Sequence, residues 1–323
     1  MKKLIPVLGC MILVLVLLLS SCSNHAPKKN EPSENLELAE RADGESYYVK
    51  GIGTCTDTEV VIPSTYQGKP VTMIGDSAFS RCGNITSVTI PDGVIAIGNS
   101  AFSYCSNLKE IRIPDSVMEL GENVFSNCDS LTSITLPNSL RYTTMKTFGD
   151  CPNLKSIFIP SGANGIIPGT FWGCSNLETI TVAEGHPFYK SVGNCLIDTT
   201  TKTLIAGCKT SVIPTDGSVL RIGELAFAGC TNLTSIVIPE GVLTIERMAF
   251  LECTFENITL PCSLGIIDQA FLGCMLKSIT YPGTKHHFKT RPRSSVFISE
   301  MLMENPAFVI HCTDGDIDMS NYN

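Results

Sequence analysis

The sequence is poor in the groups that most chemistry needs. It has one tryptophan and five histidines in 323 residues. It contains no C-x-x-C, H-E-x-x-H, G-x-S-x-G or phosphate-binding glycine loop, so the usual zinc, serine-hydrolase and nucleotide signatures are missing. Gly51-Ile52-Gly53 lacks the third glycine of a dinucleotide fingerprint. A cysteine or serine nucleophile would need a histidine and an orienting acid close by. His25 lies near the start, His186 in an irregular stretch, and His286, His287 and His311 near the end. No catalytic residue, metal or cofactor is therefore expected. Basic charge is also scarce: 23 Lys and Arg stand against 31 Asp and Glu, a formal net charge of −8. That excludes the broad basic surface a nucleic-acid partner requires. With 43% apolar and 17% charged residues, the chain can bury a sizeable core.

Long hydrophobic runs are absent after the N-terminus. The one run, Leu4 to Leu19, has 16 residues, short of the ~20 a spanning helix needs. Lys2 and Lys3 precede it, and Leu19-Ser20-Ser21-Cys22 follows. This is the layout of an export signal, which does not belong to the fold. The tetrad resembles a bacterial lipobox. That resemblance implies acylation of the Cys22 thiol and cleavage before it, so residues 1–21 are expected to be a lipoprotein signal peptide. Two or three acyl chains would hold the chain to a membrane, most simply at the cell surface or outer envelope. Residues 22–45 are polar and carry Pro27 and Pro32, and read as a flexible tether.

What the chain has in abundance is periodicity. Phe79, Phe102, Phe125, Phe148 and Phe171 recur every 23 residues, as do Cys82, Cys105, Cys128, Cys151 and Cys174. Phe227, Phe250 and Phe271 form a second block with Cys230, Cys253 and Cys274. Such a period marks a solenoid of stacked units, none of which buries its apolar face alone. Eight repeats are expected over residues 46–282, followed by a C-terminal cap over 283–323. In Leu108-x-x-Ile111-x-Ile113-Pro114 the isoleucines alternate with Arg112, which predicts a strand ended by proline. Asn99-Ser100-Ala101-Phe102 predicts the start of a short helical turn. Gly75, Gly98, Gly121 and Gly223 share one column, but Thr144, Ile167, Glu246 and Ile267 break it. A strict need for positive φ there is excluded.

Residues 183–212 interrupt the array. Cys195-Leu196-Ile197-Asp198 and Thr203-Leu204-Ile205 read either as two strands around a polar turn or as a degenerate repeat with loop insertions. The repeated cysteines read as a column of buried, reduced thiols, because in-register side chains stand too far apart for a bridge. A Cys195–Cys208 pair across the insertion stays open. The asparagine column Asn84, Asn107, Asn153, Asn176 and Asn232 reads as satisfying backbone groups between coils.

The whole pattern, I-P-x-x-V-x-x-I-G-x-x-A-F-x-x-C-x-N-L-x-x-I-x-I-P, resembles the BspA-like, or Treponema-pallidum-type, class of bacterial leucine-rich repeats over about residues 46–315. The resemblance implies an α/β repeat: a right-handed solenoid with a parallel sheet on one side and short helical turns on the other. It also implies surface display and adhesion. The expected function is thus non-catalytic binding of an extracellular protein or glycan, possibly of a host or neighbouring cell, by a lipid-anchored monomer. A passive spacer remains an alternative, as does an exported hydrolase or solute receptor. The candidate binding residues are the outward strand positions Glu110, Arg112, Thr135, Phe158 and Thr181, with the lone Trp172.

Overall fold

The computed structural model describes residues 31–290 and 308–318. All but the first two of these belong to one compact unit, Ser33–Asn323. The export signal and Cys22 lie outside the described residues. No helix among the described residues is long and apolar enough to cross a membrane.

The 23-residue period closes one coil, and successive coils are held by two parallel strand ladders rather than one sheet. The front ladder contains the predicted strands. It runs through Glu59–Val61, Ser87–Thr89 and Glu110–Arg112, breaks, and resumes as a separate sheet of Ser133–Thr135, Ser156–Ile159 and Thr179–Val182. After the interruption it continues through Ile236–Val237, Asn257–Thr259, Ser278–Thr280 and Val309–Cys312. Ile111, Ile134, Ile157 and Ile180 point inward and are buried. The second ladder links Lys69–Ile74, Ala96–Ile97 and Glu119–Leu120. It resumes with Thr203–Ala206, Arg221–Ile222, Thr244–Ile245 and Ile266–Ile267. Most of its strands are two residues long, too short to show alternation in the sequence.

The helical turns expected opposite the front ladder do not form. The sole α-helix among the described residues is Lys285–Lys289 in the C-terminal cap. The reason lies in where the amides point. Ser77, Phe79 and Arg81 donate their N–H groups to Asn99, Ala101 and Ser103 of the next coil, at 2.8, 2.8 and 2.7 Å. Ala78, Ser80 and Cys82 donate to residues three back in their own coil. Every second amide is thus diverted across the stack, and a helix cannot spare it. Ser77 and Arg81 take φ of 56° and 63° to make this possible, as do Ser100 and Tyr104 at 54° and 60°.

Glycines 98 and 121 serve close approach, not positive φ. A Cβ at Gly98 would stand 2.7 Å from the Asp76 nitrogen, and one at Gly121 would stand 2.6 Å from the Asn99 nitrogen. Where Thr144 and Ile167 occupy this column, the second ladder contains no strand.

Inside the coils the phenylalanines stack as a column. Consecutive ring centroids are 5.0–5.8 Å apart within each block. The cysteines complete it. Cys105, Cys128, Cys151 and Cys174 each donate a thiol proton to the carbonyl of a phenylalanine in the preceding coil, at 3.0–3.3 Å. Cys253 and Cys274 do the same. The residue is therefore small, apolar and a weak donor at once. No disulfide joins any described cysteine, and Cys195 and Cys208 are not bridged.

Burial pushes the thiols of Cys105 and Cys230 up to about 12, against an ordinary value of 9.0. Cys195 rises likewise to about 12. Between those values the unfolded chain binds fewer protons than the folded one. The thiols' contribution to stability is therefore fully present below about pH 9 and is lost as the pH climbs toward 12. Thermal melts from about pH 8 to about pH 10.5 should show a midpoint that holds and then falls. A midpoint unchanged over that range would contradict the buried-thiol column.

The N-terminal side holds a strand where none was expected. Within the stretch 22–45 expected to be a flexible tether, Glu37–Glu40 forms a strand that pairs antiparallel with Tyr47–Gly51. Leu36 is buried beneath this strand, and Lys50 meets Glu37 at 2.6 Å. At the other end Gly315–Asp318 turns back antiparallel on Val309–Cys312.

In the interruption, Tyr189–Val192, Cys195–Asp198 and Thr203–Ala206 form an antiparallel meander. The turn side stays continuous past it, since Gly173 donates to the Ala228 carbonyl at 3.1 Å. Cys195 and Ile197 join the core of the later coils, whereas Leu196 between them joins that of the earlier coils.

Candidate binding face

The outward positions of the front ladder come from the simplest property of a strand: neighbours in sequence face opposite sides. Arg112 therefore lies outside because Ile111 and Ile113 lie inside. The register places Thr89 beside Arg112 and Phe158 between Thr135 and Thr181. Glu110 sits beside Ser87 one row away. All five proposed strand positions are exposed, and Phe158 is 40% exposed. The Thr181 hydroxyl is spent on the Ile157 carbonyl at 3.1 Å, which leaves its methyl group to line the face. The Phe158 ring is thus an apolar island in a threonine-lined row, with the Arg112 cation and the Glu110 carboxylate on one strand two coils away.

Trp172 does not belong to this face. It occupies the turn ladder, where its carbonyl accepts from the Asp150 amide. The Lys146 ammonium lies 4.1 Å from its ring centroid and also meets Asp150 at 3.0 Å. Gly229 passes beneath, where a Cβ would stand 3.0 Å from Trp172 Cδ1. The tryptophan is a packing and cation–π partner of its own stack.

Val237, which strand alternation places outward, is 62% exposed. Val212, 70% exposed, was not identified from the sequence. Ile213-Pro214 after Val212 repeats the strand-ending isoleucine and proline, a signal masked by the irregular spacing around it. Beyond Val237 the row continues in register through Thr259, Thr280, His311 and Asp316. His311 Nδ1 lies 2.9 Å from the Asp316 carboxylate.

The asparagine column is structural. Asn153 and Asn176 donate their amides to carbonyls of Asp129 and Pro152 in the preceding coil, at 2.8 and 2.7 Å. His186 is committed as well. Its Nε2 is 2.9 Å from the Ala163 carbonyl, and its Nδ1 accepts from the amides of Phe188 and Tyr189. It faces no nucleophile.

A stack of short parallel strands with buried isoleucine, phenylalanine and cysteine columns and an exposed lateral row defines a leucine-rich-repeat scaffold. The described BspA type leucine rich repeat region matches residues 72–192 and 199–300, in six copies. The chain belongs to that family of bacterial repeat proteins, whose fold serves as a binding scaffold and whose members are generally surface-associated. Among solved structures, it is similar to the pneumococcal vaccine antigen PcpA at 19% identity and a TM-score of 0.57, over 78% of this chain and 81% of that one. A leucine-rich repeat protein of Bacteroides ovatus shares 27% identity at a TM-score of 0.55, over 77% and 70%. One from Eubacterium ventriosum shares 21% at 0.56, over 77% and 71%. No curated protein matches the chain.

Proposed function

We propose that the chain is a lipid-anchored adhesion protein, attached through Cys22, that holds an extracellular protein against its front ladder without catalysis. Phe158 carries this reading: a large ring exposed at the centre of a rigid sheet, between two threonines. Rigid exposed aromatics lose little entropy on contact and often dominate interfaces. Arg112 and Glu110 then fix the orientation of the partner by charge. One monomer presents the whole row, so no second copy is needed to complete it.

The test is binding of the full chain, by biolayer interferometry, to a panel of purified host extracellular-matrix and cell-surface proteins. One or more should bind saturably. The double variant Arg112→Ala, Phe158→Ala should weaken that binding at least about tenfold with little change in melting temperature. Unchanged affinity would move the site elsewhere, and a panel without any binder would favour a passive spacer. Cells grown with an alkyne fatty acid should label the chain, and Cys22→Ser should abolish the label. A persisting label would refute the anchor.

A further inference from the structure

At the start of the stack, away from the front ladder, a groove of about 700 Å³ opens on the second ladder. Its apolar lining comes from Ala42, Tyr48, Met73 and Gly75. Tyr48 and Met73 occupy the same register position on neighbouring strands, and both line the groove. Gly75 lets the tyrosine ring pack close against the backbone: a Cβ there would stand 3.1 and 3.2 Å from ring atoms Cδ2 and Cε2. The walls are polar, with Arg41, Asp43 and Asp76 among them.

The charges around this groove are already matched. Arg41 faces Asp43 at 3.9 Å and donates to the Thr72 hydroxyl at 3.4 Å. Lys50 faces Glu37, and Lys69 faces Glu40. Asp76 accepts from the Asn99 amide at 2.7 Å. An anionic or cationic ligand would have to displace one of these pairs. A neutral ligand needs only the guanidinium protons and carboxylate lone pairs left over. The combination of an aromatic platform with a rim of donors and acceptors suits a molecule with one apolar face and hydroxyls at its edge.

We propose that this groove is a saccharide site, in which a neutral pyranose stacks on Tyr48 and its hydroxyls bond to Arg41, Asp43 and Asp76. It stands independently of the protein-binding face and opens on the other ladder. The stacking supplies the affinity, and the polar rim selects the sugar.

Isothermal calorimetry of the full chain with cellotriose, maltotriose and chitotriose tests this, with a sulfated trisaccharide as comparator. At least one neutral sugar should bind saturably with a Kd in the millimolar range or tighter. Tyr48→Ala should weaken it about tenfold, while Tyr48→Phe and Phe158→Ala should leave it nearly unchanged. Tyr48→Leu, which keeps the strand apolar, serves if the alanine variant does not fold. Three results would overturn the site: no neutral sugar binding, full binding by the folded Tyr48→Leu variant, or a preference for the sulfated sugar.

Discussion

Phe125→Ala should lower the stability of the chain by about 3–5 kcal/mol, the range for a fully buried aromatic truncated in place. Phe125 has no exposed surface and lies between Phe102 and Phe148, with centroids 5.5 and 5.3 Å away. Both neighbouring rings lose a stacking partner. The void closes poorly, because coil spacing is held by the second ladder, where Ala96–Ile97 pairs with Glu119–Leu120, and by amides such as Phe125 N–H, which donates to Thr147 at 2.8 Å. The Phe125 carbonyl also accepts the Cys151 thiol at 3.1 Å, so the damage spreads to a second column. Guanidinium unfolding followed by circular dichroism measures the loss. Phe125→Leu should cost distinctly less, since it refills most of the volume. A loss below about 1 kcal/mol for the alanine variant would mean that the column is not tightly packed.

Gly207→Ala is expected to cost about 1–3 kcal/mol by the opposite route, overpacking. Gly207 donates its amide to Ala226, and Phe227 donates to Ala249, so the glycine sits where an aromatic would stand in the preceding coil. The Phe227 ring has moved into that vacant place. A Cβ at position 207 would fall 2.0, 2.3 and 2.6 Å from its Cε1, Cζ and Cδ1 atoms. Shortening the intruder should relieve the clash: Gly207→Ala with Phe227→Leu should recover part of the loss, giving a non-additive double-mutant cycle. Strict additivity would place the strain elsewhere.

The difference between these two sites shows what a sequence of this type makes legible. The phenylalanine, cysteine and front-ladder columns repeat at one interval, and stacking demands that regularity, so Phe125 is visible as core before any coordinates. Gly207 is invisible, because its role depends on a ring 20 residues later crossing into its space. The turn ladder misled for a related reason. Ala-Phe-x-x-Cys has helix-like spacing, and the i→i+3 bonds of Ala78, Ser80 and Cys82 do form. What local spacing cannot reveal is that the amides in between serve the next coil. Short elements also escaped. Ala96–Ile97 is too brief to alternate, and Leu36 and Leu38 gave only a faint two-residue rhythm among acidic neighbours. On the binding face, the alternation around Ile111 and Ile134 was enough to place Arg112 and Thr135 outside. Trp172 stands in the column of Ser80, Ser103 and Ser126, which left a contact role and packing against the insertion equally open; rarity gave it no direction.

The meander between the two repeat blocks has a mechanical consequence. Its strand Cys195–Asp198 presents Leu196 to one hydrophobic interior and Cys195 and Ile197 to the other. Neither block can shed its layer of this strand without stripping the other of its end cover. Loosening that begins at either terminus therefore meets a shared wall, and the two halves should melt as a coupled pair where a plain stack would fray coil by coil.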